Sequence, residues 1–204
     1  MIYRGIDRDH LLVRQRTDPR AELGPALTVT MPYRNPIVEI LQLMIAHGEE
    51  IDSRIRFQKS VFLLKHIGIA DFAKFRFSYH HFGPYSHQLS DVLQDLVGAG
   101  LISEVKSKYS EEQVKYTYRL TEAGKAWLSA NQVEPAHDLN KHAALLKGIH
   151  WRTLELASTV LFLLDEENVS DSETAFSKAV ELKPQCRPFT DEARKLVSQF
   201  NQCT

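Results

Sequence analysis

Val114-Lys115-Tyr116-Thr117-Tyr118-Arg119-Leu120-Thr121-Glu122-Ala123-Gly124-Lys125-Ala126-Trp127-Leu128 changes its period half-way along. Up to Leu120, Val114, Tyr116, Tyr118 and Leu120 alternate with Lys115, Thr117 and Arg119, the two-residue repeat of a half-buried strand. At Thr121 the alternation stops. Thr121 is of the residue type that caps a helix by accepting from an amide one turn on, and TEAGKAWLSAN reads as a short helix. Gly124 lacks a Cβ, so that helix can lie close to the strand it follows. Leu101 to Lys106 supplies a second strand, joined to the first by a polar turn at Ser107 to Gln113.

Upstream, three helices are expected. Ile37, Ile40, Leu41 and Met44 form an apolar stripe behind Pro36. A second helix starts near Asp52 as N-cap, carries Phe57, Val61 and Leu64 on one face, and ends around Gly68. Ser86 caps the third, in which Leu89, Val92, Leu93, Leu96 and Val97 face a core before Gly98 and Gly100 stop it. Between the last two, Phe75, Phe77 and Tyr79 alternate like a strand, and His80 to Tyr85 has turn composition. Three helices, a β-hairpin and a capped helix follow the order of a winged helix-turn-helix, and Tyr118 to Gly124 resembles the closing strand and helix start of such domains.

Downstream of a linker near 131–138, Trp151 to Leu164 is apolar nearly all round after Glu155 and should be a buried central helix. Ser170-Asp171-Ser172-Glu173 reads as a capping box for a helix that stops at Lys183-Pro184. Thr190 opens the last helix. The expected fold is therefore mainly α (α+β): an N-terminal arm over 1–35, a winged helix-turn-helix-like domain with a β-hairpin wing over 36–130, and a C-terminal helical subdomain over 131–204.

Charge and composition exclude several functions. The 204 residues are 43% hydrophobic and 25% charged, which is globular and not disordered. The formal charge is −1, and residues 1–30, 31–130 and 131–204 carry +1, +1 and −3. No region is a basic block that a general field would draw onto nucleic acid or an acidic membrane. Two cysteines, Cys186 and Cys203, with no CxxC pair, suit a reducing compartment. The longest uncharged apolar run, Leu156 to Leu164, is less than half of the about 20 residues that a spanning helix requires. The N-terminus has no apolar core of a signal peptide. A cytoplasmic location without membrane contact is expected.

Catalytic signatures are absent: no Walker A loop, GxGxxG, HExxH or GxSxG. The nine histidines are scattered, with His137 and His142 five apart and His80-His81 directed to opposite sides of a strand. No catalytic residue, metal site or cofactor is expected. The informative cluster is Arg54, Arg56, Lys59 and Lys65 on the second helix with the turn His81, Gly83, Pro84, Tyr85 and Ser86. Ser86 opens a helix whose first amides favour an anion or a partner's carboxylate. Arg54, Arg56, Lys59, His81, Gly83, Pro84, Tyr85 and Ser86 are therefore the expected partner- or anion-binding residues.

A DNA-reading alternative uses Gln88 and Gln94 on the third helix with Lys106 and Lys108 on the wing, in a homodimer. Against it, the third helix has no lysine or arginine and carries Asp91 and Asp95, which phosphates repel. The 17-residue stretch Ile69 to Tyr85 also exceeds the turn of about three or four residues in a DNA-binding helix-turn-helix.

Arg56-Phe57-Gln58-Lys59-Ser60-Val61-Phe62-Leu63-Leu64, taken with Phe82-Gly83-Pro84-Tyr85-Ser86 and Leu89, resembles the YwgA-like family of small bacterial proteins. That family is similar to the Panacea domain of prokaryotic antitoxins and proteolytic adaptors. Leu154 to Val160 looks like the C-terminal helix of the group, and the likeness covers about 36–165. The resemblance implies a helical winged-helix-like fold and no enzymatic activity. It also implies binding to other proteins (a toxin, a protease substrate or a defence component).

Overall fold

The computed structural model describes residues 36–69, 72–108, 114–133 and 137–202. The arm expected over 1–35 lies outside them, as do the tip of the wing and part of the linker. Helix α1 (Pro36–Ala46) starts on a proline, whose fixed φ suits a first turn. It buries Ile40, Leu41, Leu43 and Met44 together with the carboxylate of Glu39. A turn through Gly48 and Glu49, both at positive φ, leads into strand β1 (Glu50–Ile51).

Helix α2 (Arg54–His66) is capped by Ser53 and not by Asp52: the Arg56 amide donates to Ser53 Oγ at 3.0 Å. Asp52 instead holds the Arg56 guanidinium. Every residue from Phe57 to Leu64 is buried, including Gln58, Lys59 and Ser60. The apolar stripe in the sequence thus understates how deeply α2 lies.

The segment between α2 and α3 is not the single strand that its alternation suggests. Phe72 and Phe75 enter the core as a stacked pair, and Lys74 Nζ reaches Glu39 at 2.9 Å. Phe77 sets its edge on Phe62. Only Ser78–His80 (β2) pairs, forming a hairpin with β3 (Gly83–Tyr85) in which Tyr79 lies opposite Pro84. Burial of large rings outweighs the local two-residue period.

Helix α3 (His87–Gly98) has its expected cap, with the Leu89 amide donating to Ser86 Oγ, and buries Leu89, Leu93 and Leu96. Strands β4 (Ile102–Lys108) and β5 (Val114–Leu120) are antiparallel with Glu104 opposite Tyr118. Strand β1 adds to the free edge of β5, with Ile51 opposite Tyr118, giving the sheet order β1-β5-β4. Two residues are too few for any periodic signal, so β1 is not legible in the sequence. Helix α4 (Glu122–Ala130) follows with Thr121 as cap. A Cβ on Gly124 would stand 2.3 Å from the Leu101 carbonyl oxygen, so the close approach demands glycine.

Helix α5 (His137–Leu146) is an addition to the expected elements, although Leu139, Ala143 and Leu146 bury one face at helical spacing. Helix α6 (Trp151–Asp165) is buried continuously from Thr153 to Leu163. Helix α7 (Ser172–Leu182) starts from Asp171, whose carboxylate accepts from the Thr174 amide at 2.9 Å. A 3-10 helix (Pro184–Phe189) and helix α8 (Thr190–Asn201) complete the chain. Helix α6 packs against α2, β3, α7 and α8, and one apolar core continues from Ile40 of α1 to Phe200 of α8. The architecture is mainly helical with a small antiparallel sheet.

Candidate functional site

Two adjacent residues of α2 hold the hairpin. The Gln58 side-chain amide clamps Ser86 from both sides: the Ser86 amide donates to Oε1 at 2.8 Å, and Nε2 donates to the Ser86 carbonyl at 3.0 Å. Nε2 also reaches Ser90 Oγ, which meets the Tyr85 hydroxyl at 2.6 Å. One residue on, Lys59 Nζ donates to the Pro84 carbonyl at 2.6 Å. The Gln58-Lys59 pair and the Gly83-Pro84-Tyr85-Ser86 turn are thus two halves of one internal contact. Gly83 belongs to it for two reasons. Its φ is +84°, and a Cβ there would lie 2.7 Å from Thr159 Oγ1 on α6.

Beneath this turn lies a buried charge cluster. Lys59, Lys183 and Glu155 are 2%, 3% and 0% exposed. Lys183 Nζ donates to the His81 carbonyl and lies 3.4 Å from Glu155 Oε1. Cys186 Sγ donates to Glu155 Oε2 at 3.5 Å. Lys183 therefore pairs with Glu155, Lys59 lies within reach of the same charge, and both lysines end on carbonyls of the hairpin. Burial pushes the Cys186 thiol up to about 11, with the Glu155 charge adding to the effect. It is a poor nucleophile.

Burial also lowers Lys59, from 10.5 to about 7, against the pull of Glu155 and with the help of Lys183. The unfolded chain keeps the ordinary value, so it binds more protons than the folded chain between those two values. Stability contributed through Lys59 therefore rises with pH across that window. Urea midpoints of the wild type, measured from about pH 7 to about pH 10, should climb relative to those of Lys59→Met. Parallel profiles would mean that Lys59 titrates normally.

These contacts change the role of most residues expected to meet a partner. Lys59, Gly83, Pro84 and Ser86 are buried, so they brace the hairpin and do not present a surface. The anion site expected at Ser86 is occupied from within, because the Ser86 amide donates to Gln58 Oε1 and the Leu89 amide donates to Ser86 Oγ. Arg54 is spent on Glu104, in a two-pronged contact at 3.1 and 3.0 Å, and on the Tyr118 hydroxyl. Arg56 lies apart, between Asp52 and the Leu146 carbonyl.

What the hairpin does expose is its tip. His81 and Phe82 are exposed, Phe82 at 45%, with Tyr79 at 39% on the adjoining strand. Leu182, 50% exposed, sits next to the lysine that ties the end of α7 to His81. Tyr85 is half-buried and lines a small recess with Arg54, Gln58 and Gln94.

Of the residues in the DNA-reading alternative, Gln88 accepts from the Arg76 amide, while Gln94, Lys106 and Lys108 are exposed. Among the described residues no group of three or more His, Cys, Asp or Glu side chains is placed to hold a metal. No described helix is long and apolar enough to cross a membrane.

Glu155, Lys183 and Cys186 are site residues that sequence reasoning misses. Glu155 carries a usable signal as the one carboxylate on the otherwise apolar face of α6. Lys183 and Cys186 carry none, since they reach the site only through the fold.

No family model matches the chain. The chain is similar to the uncharacterized protein YwgA of Bacillus subtilis (strain 168). Identity is 28% over 162 residues, spanning 79% of this chain and 95% of that relative. The likeness is long enough to include the hairpin, its two clamping residues and the α6 carboxylate within one shared stretch of protein.

Proposed function

We propose that this chain is a non-enzymatic prokaryotic adaptor, antitoxin-like in its mode of action, built on a winged-helix-like body. It binds a protein partner (a toxin, a protease substrate or a defence component) through the tip of the β2–β3 hairpin. Support for the body comes from the order α1-β1-α2-α3-β4-β5 and the sheet order β1-β5-β4, with the hairpin inserted between α2 and α3. The observation that carries the binding role is the exposure of Phe82 and Tyr79 on a hairpin fastened from below by two buried lysines. An apolar ring on a preorganised base loses little entropy on docking, which is the character of an interface anchor.

The DNA-reading alternative has weaker support. Asp91 and Asp95 are exposed on α3, and Arg54 and Arg56 are each paired with a carboxylate, Glu104 and Asp52. Those charges are not free to meet a phosphate backbone.

The test is a tagged pull-down from the native host with and without nuclease, repeated with Phe82→Asp. A stoichiometric protein should survive nuclease, and Phe82→Asp should weaken its complex by about thirtyfold or more, the effect of losing a hot-spot anchor. Recovery through DNA alone overturns the adaptor reading. An unchanged complex with Phe82→Asp overturns the choice of face.

A further inference from the structure

On another side of the molecule, the first turn of α2, the start of β5 and the first turn of α6 enclose a cleft of about 560 Å³. Its walls include Asp52, Arg54, Lys115, Tyr116, Trp151 and Arg152. That volume is in the range of small-molecule sites, about 300–1,000 Å³. Two of the walls are aromatic faces already paired with cations. The Arg54 guanidinium stands 3.7 Å from the centre of the Tyr116 ring, and that of Arg152 stands 4.3 Å from the Trp151 ring.

The charges in the cleft are not equivalent. Arg54 is matched by Glu104, and Lys115 lies 3.6 Å from Asp52. Asp52 is already shared with Arg56, whose guanidinium holds its carboxyl below the usual range against the opposing effect of burial. Among the described residues Arg152 is in no salt bridge, and its guanidinium meets the Cys186 thiol and the Trp151 ring. The cleft therefore carries surplus positive charge beside the Trp151 ring. The first turns of α2 and α6 add the positive ends of two helix dipoles to the same walls.

We propose that this cleft binds a small anion that bears a planar aromatic group, the chemistry of a nucleoside monophosphate. Its phosphate is held by Arg152 and Lys115, and its base lies against Tyr116 or Trp151. Asp52 is placed among these groups as an acceptor for a hydroxyl or exocyclic amine. This site does not depend on the hairpin reading, since no residue of β2 or β3 lines it. An adaptor with such a cleft has a place where a small metabolite can bias partner binding.

The full-length protein is titrated with AMP and GMP by calorimetry, and by Trp151 fluorescence in a Trp127→Phe background. Adenosine, inorganic phosphate and a short single-stranded oligonucleotide are run alongside. Saturable one-to-one binding of a mononucleotide is expected, with adenosine and phosphate each much weaker. Arg152→Gln should reduce affinity about ten- to hundredfold, the effect of losing a charge-assisted hydrogen bond. Lys115 is on the surface, so Lys115→Ala keeps the fold and should weaken binding in the same direction.

Absence of saturable binding into the millimolar range overturns the proposal. Phosphate binding as tight as AMP, or an affinity unchanged in both variants, does so too. Binding of the oligonucleotide alone would make the cleft a nucleic-acid contact instead.

Discussion

Glu155→Ala is expected to lower the free energy of unfolding by about 3–5 kcal/mol, as seen when one member of a buried ion pair is removed. The carboxylate is fully buried on α6, with Lys183 Nζ at 3.4 Å and Lys59 close enough to feel its charge. Its loss leaves the Lys183 ammonium, 3% exposed, without a counter-charge, and removes the charge that holds the proton on Lys59. Neither lysine can swing to water without releasing the hairpin carbonyl that it holds.

Thermal and urea denaturation of the purified variant would read the effect, as a fall in Tm of roughly 10 °C or more for a chain of this size. A specific rescue distinguishes charge from shape. Combining Glu155→Leu with Lys183→Met replaces the buried ion pair by apolar volume, and should recover a large part of the loss. A drop below about 1 kcal/mol in Glu155→Ala would mean that water or a rearranged lysine already neutralises the cluster.

Gly83→Ala is the second large effect, expected at about 2–4 kcal/mol from two separable sources. One is the left-handed backbone, φ +84°, which disfavours any Cβ. The other is contact, because that Cβ would lie 2.7 Å from Thr159 Oγ1. The Thr159 hydroxyl is itself committed to the Glu155 carbonyl at 2.8 Å, and its β-branched side chain has little freedom in a helix.

Gly68 provides the internal comparison. It has φ +78°, and a Cβ added there would meet nothing within 4 Å, so Gly68→Ala should show the backbone cost alone, about 1–2 kcal/mol. Adding Thr159→Ala to Gly83→Ala should return the contact part and leave the rest. Equal losses at Gly68 and Gly83 would show that the hairpin shifts freely over α6.

Local signals suffice wherever one element's own residues set its geometry. Thr121 and Ser86 cap the helices they are expected to cap, and Val114 to Leu120 is the alternating strand its pattern announces. Trp151 onward is the buried central helix. The cap of α2 falls one residue after the expected Asp52, because Asp and Ser are equally good caps and Asp52 has the better ionic partner in Arg56. The helix over 137–146 is hard to read because its apolar face buries only three residues, amid polar neighbours.

The candidate site divides along the same line. The family resemblance pairs Gln58-Lys59 with Gly83-Pro84-Tyr85-Ser86, whereas composition alone picks out Lys59 and the turn. A basic residue on an exposed-looking helix reads as a surface charge, and nothing local says otherwise. Lys59 is buried because α6, about a hundred residues later, closes over α2 and brings Glu155 to meet it. The described α-helices other than α5, the β4–β5 pairing and the caps at Ser86 and Thr121 are legible in the sequence, since these rest on contacts within a few residues. Packing of distant segments makes the motif a brace, burying Lys59 and leaving Phe82 exposed at the hairpin tip. Burial and charge pairing between distant segments are properties of the packed chain, and no local pattern encodes them.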